Sequence, residues 1–258
     1  MNVVSVVIPA YNAASTIARC LASVRAQDYV DLEVIVVDDG SEDGTAEIAK
    51  KADGVHVLIQ PNAGPASARN RGIAAASGEW IAFLDSDEEW LDPRKLSAQM
   101  ECALSQGAAI VGALGKDGSI REVSLGRMLL GNPFTTSTVL VSRASVLACG
   151  GFEDGSFYSE DFRLWLRIVA GGGKACLCGV RGSADLRGRR SFDSGGLSGR
   201  MRSMERAELA NFLSLRREGL LGPEPRAALL CAFAMTISML KYVRRLALRA
   251  GRSIRGRR

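Results

Sequence analysis

Apolar and polar positions alternate in blocks along the first ninety residues. Val3–Ile8 is a short apolar run holding Ser5, and it stops at Pro9. The polar turn Ala10-Tyr11-Asn12 follows, and Ile17, Leu21 and Val24 then recur at helical spacing within Ala14–Arg25. Leu32–Val37 is a second apolar run, ending in Asp38-Asp39-Gly40-Ser41. Thr45–Lys51 predicts a helix, Val55–Ile59 a third strand, the alanine-rich Ala66–Ala76 a helix and Trp80–Leu84 a fourth strand. Strand, turn and helix repeated in this way predict an α/β fold with a mostly parallel sheet flanked by helices. Ligands bind such sheets at the carboxyl ends of the strands. Pro9–Asn12, Asp38–Ser41 and Asp85–Asp87 stand at three such ends, so the topology predicts that they converge on one edge.

The rest of the chain is less regular. Gly107–Asn132 mixes glycines, charges and short apolar runs, as loops or edge strands would. Thr138–Val141 predicts a strand, with a helical turn to Leu147 and a break at Gly150-Gly151. Glu160–Val169 puts Phe162, Trp165, Leu166 and Val169 on one helical face, and Leu177–Leu186 returns as a strand. Arg187–Arg202, rich in Gly, Ser and Arg, reads as a loop, and Arg206–Arg217 as an amphipathic helix. Pro223 and Pro225 precede Ala227–Leu240, an almost wholly apolar stretch of 14 residues.

Charge changes the picture at the C-terminus alone. The net +5 rests on Lys241–Arg258, which holds eight basic residues and no acidic one; the remainder has 25 basic against 28 acidic residues. A uniformly basic surface for nucleic acid is therefore not expected. Fourteen helical residues span about 21 Å, short of a bilayer's hydrocarbon core of about 30 Å. Ala227–Arg258 then reads either as an interfacial helix on an anionic membrane or as a core or homodimer-interface helix with a basic end. Met1 leads almost at once into the first apolar run, without the basic region and cleavage site of a signal peptide. The six cysteines have neither CxxC spacing nor a nearby histidine, which suits reduced, buried thiols. A cytoplasmic location, peripheral at the inner face of the plasma membrane, is the expectation.

The strongest chemical signal is the end of the fourth strand. Asp85, Asp87, Glu88 and Glu89 put four acids into five residues directly after an apolar run. Taken alone they fit a solvated acidic turn, or hard oxygen ligands for Mg²⁺ or Mn²⁺.

Several strings together resemble family 2 glycosyltransferases of the GT-A (Rossmann-like) fold. They are Ser5–Asn12, Val36–Thr45, Ala68-Arg69-Asn70-Arg71-Gly72, Asp85-Ser86-Asp87, and Gly150-Gly151-Phe152 followed by Glu160-Asp161. The resemblance covers roughly residues 3–170. It implies a GT-A domain over 1–205, with a nucleotide-binding half to about 90 and an acceptor half beyond it, and a helical C-terminal extension over 206–258. It further implies inverting transfer of a single sugar from a nucleotide-diphosphate sugar, UDP-linked in the first instance. The acceptor would be a hydroxyl of a glycan or lipid-linked glycan, in exopolysaccharide, O-antigen or capsule assembly.

The resemblance carries over to particular residues. Pro9, Ala10, Tyr11 and Asn12 would wall the donor nucleotide, and Asp39 would accept a hydrogen bond from its base. Arg69 would meet the base or diphosphate, Asp85 the ribose or sugar, and Asp87 the metal. Inversion needs a base, and the lone histidine, His56, lies inside an apolar run away from every motif. The family's base falls on Asp161, with Glu160 beside it as a like charge that would raise its pKa. The pair also suits a helix N-terminus, and both roles are compatible. Arg163 stands where many members have a second aspartate, and Arg189–Ser198 lacks their tyrosine and histidine. The Gln-x-x-Arg-Trp string of processive synthases is absent, which implies single addition. A catalytically inactive sugar-nucleotide-binding module and a nucleotidyltransferase are the competing readings; the turn at Pro9–Asn12 lacks the glycine-rich phosphate loop of the latter.

Overall fold

The computed structural model describes residues 2–114, 118–155, 158–187 and 201–255. Its first half is the alternation that the pattern predicts: β1 (Val4–Ala10), α1 (Ile17–Arg25), β2 (Leu32–Asp38), α2 (Thr45–Lys50), β3 (Val55–Ile59), α3 (Pro65–Ala75) and β4 (Trp80–Phe83). Strand residues separate by parity onto two faces. Val7, Ile35, Val37, Ile81 and Phe83 join the core on one side, and Val4, Val6, Ile8, Val36 and Ala82 join the core on the other. This two-residue period, with helices on both faces, makes β1 buried throughout. Helix α3 lies close against β1 because Gly72 has no side chain: a Cβ there would stand 2.4 Å from Val7 Cγ1.

Eight strands form the main sheet in the order β3-β2-β1-β4-β8-β6-β9-β7. After β5 (Glu88–Trp90) and α4 (Lys95–Gln106) come β6 (Ile110–Ala113), β7 (Ile120–Glu122), α5 (Leu125–Leu129), a 3₁₀ turn (Thr136–Thr138), β8 (Leu140–Ser142), α6 (Arg143–Ala148), α7 (Glu160–Ala170) and β9 (Ala175–Cys178). Strand β8 runs antiparallel to β4 and β6, and β7 antiparallel to β9; the other pairings are parallel.

Three sequence expectations change. Ile110–Ala113 is an interior strand between β8 and β9 and not an edge or loop. Leu177–Leu186 is two strands in different sheets: β10 (Ser183–Asp185) pairs with β5 in a separate ribbon. The chain leaves the main sheet at Gly179, where a Cβ would come within 2.4 Å of the Gly118 and Ser119 backbone nitrogens. Last, the apolar stretch after Pro225 is longer than 14 residues of helix. Helix α8 (Met201–Arg217) is followed by α9 (Arg226–Arg255), 30 residues that reach about 45 Å because nothing after Leu240 breaks the helix before Gly251. The window Arg226–Val243, with mean hydropathy 1.4, is long and apolar enough to cross a membrane by length and composition.

Helices α8 and α9 complete the core of the second half. Phe212, Leu215, Ala227, Cys231 and Ala234 share one cluster with Phe162 and Trp165, and Phe212 meets Phe162 edge-on at 6.1 Å. All six cysteines are free thiols.

Candidate active site

The parallel register brings the ends of β1, β2 and β4 to one edge, where a cleft of about 430 Å³ opens. Its walls include Pro9 and Ala10 at the end of β1 and Tyr11 just after it, Asp39 after β2, Arg69 from α3, and Asp85, Ser86 and Asp87 after β4. Tyr11 stands half exposed at the rim. Asn62, Gly64, Glu160 and Arg187 also face in.

Asn12 does not line the cleft. Its left-handed backbone (φ +48°) closes the turn after β1, its amide donates to Ser41 Oγ, and its side-chain oxygen accepts from the Glu42 amide at 3.0 Å. It locks the first two strand ends together. Asp39 is buried, and its carboxylate accepts from Gln60 Nε2 at 2.7 Å and from the Ala63 and Gly64 amides at 2.9 and 2.8 Å. The 60–64 loop packs so tightly there that a Cβ at Gly40 (φ +78°) would approach the Asn62 nitrogen to 2.9 Å. Asp38 is buried and accepts from the Ser41 amide at 2.7 Å, while its Oδ2 finds no hydrogen-bond partner among the described residues.

Arg69 is the electrostatic centre. Its guanidinium is buried, pairing with Asp85 at 2.8 Å and Glu160 at 3.0 Å, with the Phe152 ring 5.4 Å below. Burial alone would lower its pKa, but the charges of Asp85, Glu160 and Asp161 outweigh that and raise it. Glu160 is held above the ordinary carboxylate range, by burial first and the Asp161 charge second, against the pull of Arg69. Glu88, after the aspartate pair, is pushed up to about 7 by burial and then by Asp85.

Asp161 sits beside the cleft, not in its lining. Its Oδ2 accepts from Thr136 Oγ1 at 2.7 Å and Asn132 Nδ2 at 3.3 Å, and its Oδ1 from the Phe162 amide at 2.6 Å. The 3₁₀ turn carrying Thr136 also reaches the fourth strand end: the Asp85 amide donates to Ser137 Oγ at 3.2 Å, and Trp90 Nε1 donates to the Ser137 carbonyl at 2.7 Å. One short turn therefore holds both acidic centres in register.

The description "Glycosyl transferase family 2" fits residues 5–147, more than half of the chain. This chain belongs to glycosyl transferase family 2. WfaP of Escherichia coli, a UDP-Glc:alpha-D-GlcNAc-diphosphoundecaprenol beta-1,3-glucosyltransferase, is 32% identical over 194 residues, covering 68% of this chain and 73% of its own. The uncharacterized glycosyltransferase YibD of E. coli K12 is 45% identical over 92 residues, and this chain spans only 27% of its length. The GT-A fold is shared with Staphylococcus aureus TarS (TM-score 0.72, 19% identity, 91% of this chain and 71% of that one). It is shared too with the mannosyltransferase PcManGT of Pyrobaculum calidifontis (TM-score 0.66, 19% identity, 98% and 81%).

In this family 2 glycosyltransferase, Arg187 is a site residue that sequence reading missed. Its Nε lies 3.7 Å from Asp87 Oδ2 and its Nη2 donates to the Asn12 carbonyl at 3.3 Å, so it spans two rims of the cleft. It stands at the start of a Gly/Arg-rich stretch whose composition gave no reason to single it out, and Arg189–Ser198 lies outside the described residues. Gln60, Thr136 and Ser137 were equally silent, being ordinary polar residues whose partners are distant in sequence. Among the described residues no three acidic, histidine or cysteine side chains form a closed metal cage. The carboxylates of Asp85 and Asp87, which line the cleft beside Arg69 and Arg187, nevertheless suit Mg²⁺ or Mn²⁺, hard ions that take one or two carboxylates and complete their shell with phosphate oxygens and water.

Proposed function

We propose that this glycosyltransferase transfers one sugar, with inversion, from a UDP-sugar to a hydroxyl of a glycan or lipid-linked glycan in surface-polysaccharide assembly. The carrying observation is the juxtaposition of a cleft at three strand ends with a hydrogen-bonded carboxylate, Asp161, just beyond it. The UDP-glucose-dependent glucosyltransferase activity of WfaP, the complexes of TarS with UDP and UDP-GlcNAc, and the GDP-Man and Mn²⁺ complex of PcManGT support the reading.

In this reading Pro9, Ala10, Tyr11 and Asp39 flank the nucleotide, and Asp85 the ribose or sugar. Asp39 already accepts three hydrogen bonds, which orient it and leave room for one more donor such as a base N–H. Arg69 holds Asp85 and Glu160 in place from beneath, its Nη2 donating to the first and its Nη1 to the second, while its buried Nε–H meets no hydrogen-bond partner among the described residues. Asp87 would hold a divalent ion, and such an ion would supply positive charge to offset that of the diphosphate leaving group. Asp161 takes the acceptor hydroxyl's proton as that oxygen bonds to the anomeric carbon, and the bond to the diphosphate oxygen breaks on the opposite face. Thr136 and Asn132 fix the carboxylate's orientation for that transfer. The enzyme would work at the cytoplasmic face of the plasma membrane.

The test is turnover of a panel of UDP-sugars with Mn²⁺ or Mg²⁺ and a lipid-diphosphate glycan acceptor. Asp161→Asn is expected to lower kcat by a factor of about 10² to 10⁴ with little change in UDP binding, and Asp87→Asn to lose activity and to raise the Mn²⁺ concentration needed for UDP binding. Binding of UDP-sugar without turnover in the parent chain would instead establish an inactive binding module.

A further inference from the structure

Helix α9 has two unlike faces. Ala227, Cys231, Ala234 and Ser238 recur at steps of four, three and four and are buried against the rest of the protein. On the opposite side Leu229, Phe233, Leu240 and Val243 are 71, 51, 61 and 58% exposed. Together with Met239 they make up five of the fourteen large apolar side chains exposed among the described residues, all on one helix. Thr236 falls on the same stripe, but its hydroxyl donates to the Ala232 carbonyl at 2.9 Å and so brings no unmet polar group. A stripe of this size left open to water marks a binding surface.

Charge decides what covers it. Helix α9 contains no acidic residue, and Lys241–Arg258 supplies eight basic ones, six of them within the helix. A partner surface that is both apolar and strongly anionic is what the lipid–water boundary of an acidic membrane offers.

The helix cannot serve as a spanning segment without dismantling its packing. Ser238, in the middle of the apolar window, donates to Glu205 Oε1 of α8 at 2.6 Å and has Glu208 Oε2 at 3.0 Å. Crossing the bilayer would either strip α9 from α8 or carry those carboxylates into hydrocarbon. We infer that the outer face of α9, with the basic residues of its C-terminal half, is an interfacial docking helix that lays this protein onto an anionic bilayer.

Docking also orients the site. The Lys241 ammonium packs on Gly131, 2.5 Å from where a Cβ would stand, and the neighbouring Asn132 is the one that meets Asp161. The acceptor side of the cleft thus lies close to the docked helix. Delivery of a lipid-linked acceptor from that side rests on the proposed transferase reading; the docking itself does not.

The full chain is to be sedimented with vesicles of phosphatidylglycerol and phosphatidylcholine, and with phosphatidylcholine alone. Strong binding to the first, weak binding to the second, weakening with salt and release by alkaline carbonate are expected. The triple variant Leu229→Glu, Phe233→Glu, Leu240→Glu should lose binding. Arg244→Gln with Arg245→Gln, which removes two charges and leaves the apolar stripe unchanged, should weaken it roughly 25-fold, about fivefold per charge. Equal binding to both vesicles, or retention by a folded triple variant, overturns the inference. So does resistance to carbonate, which would mean spanning. If the parent is a dimer, the triple variant a monomer, and vesicle binding is the same for both, the stripe belongs to a second copy of the chain and the inference fails. None of these outcomes depends on activity.

Discussion

Arg69 carries more of the site than its place in an alanine-rich helix suggests. It is buried between two carboxylates, Asp85 and Glu160, that belong to strands and helices far apart in the chain. Removing one member of a buried charge set leaves the others uncompensated. Arg69→Met is therefore expected to destabilise the fold by about 3 kcal/mol in chemical denaturation, tempered because Asp85 is a third exposed. Arg69→Lys keeps the charge but not the two-pronged geometry and should fall between. Lys95 is the opposite case, a fully buried amine with no ion pair among the described residues, its Nζ donating to Gln99 at 2.8 Å and standing 4.1 Å from the Trp90 ring. Burial lowers its pKa to about 7 from 10.5. The unfolded chain then holds the extra proton between those values, so Lys95 costs stability fully below pH 7 and progressively less as pH rises towards 10.5. Lys95→Met should be more stable than the parent at pH 7, with the advantage shrinking by about 2 kcal/mol on going to pH 9. Sequence pointed to Arg69 and Asp161 through their motifs, yet it held no trace of Lys95, Thr136 or Arg187, whose roles come from partners 20 or more residues away or from burial alone.

At the scale of elements, the first four strands were legible because each is a short apolar run bounded by turn residues, although β1 alone of the four is buried throughout and β3 lies at the sheet edge. Gly72 shows what joins them: helix and strand touch where the side chain is missing. Gly72→Ala would ordinarily favour a helix by up to about 1 kcal/mol. Here the added methyl meets Val7 Cγ1 at 2.4 Å, so a net loss of about 1–3 kcal/mol is expected in thermal or chemical unfolding. An unchanged or raised midpoint would show that α3 can shift away from β1. Strand β6 was illegible for a related reason. It is four residues long, includes Gly112, and is made a strand by neighbours from residues 140–142 and 175–178. The split of β9 from β10 was hidden likewise, since only the close approach of Gly179 to Gly118 forces the chain out of the sheet. The 3₁₀ turn at Thr136–Thr138 has no period to detect, although it ties Asp85 to Asp161.

For the whole molecule, the boundary near residue 205 separates motifs and not cores. Phe212, Leu215, Ala227, Cys231 and Ala234 lie in the same cluster as Trp165 and Phe162, directly behind the helix whose first turn holds Glu160 and Asp161. Glu218 adds ion pairs to Arg167 at 3.0 Å and Arg163 at 3.6 Å on the same helix. Through α8, one end of α9 thus braces the helix that carries Glu160 and Asp161, while its outer face stays open. The two roles make different demands on experiment. A chain cut after Pro223 loses the burial of Ala227, Cys231 and Ala234 and bares Phe212, a loss of about 4 kcal/mol from side-chain burial. For a chain of this size that corresponds to a fall of about 10 °C in Tm, with turnover lost along with membrane contact. The surface variant at Leu229, Phe233 and Leu240 should keep the parent Tm, because those side chains are solvated. A truncated chain with unchanged Tm and full turnover would show that α9 is a tether alone; a lowered Tm in the truncation beside an unchanged one in the surface variant is the pattern that a brace and a docking face on one helix require.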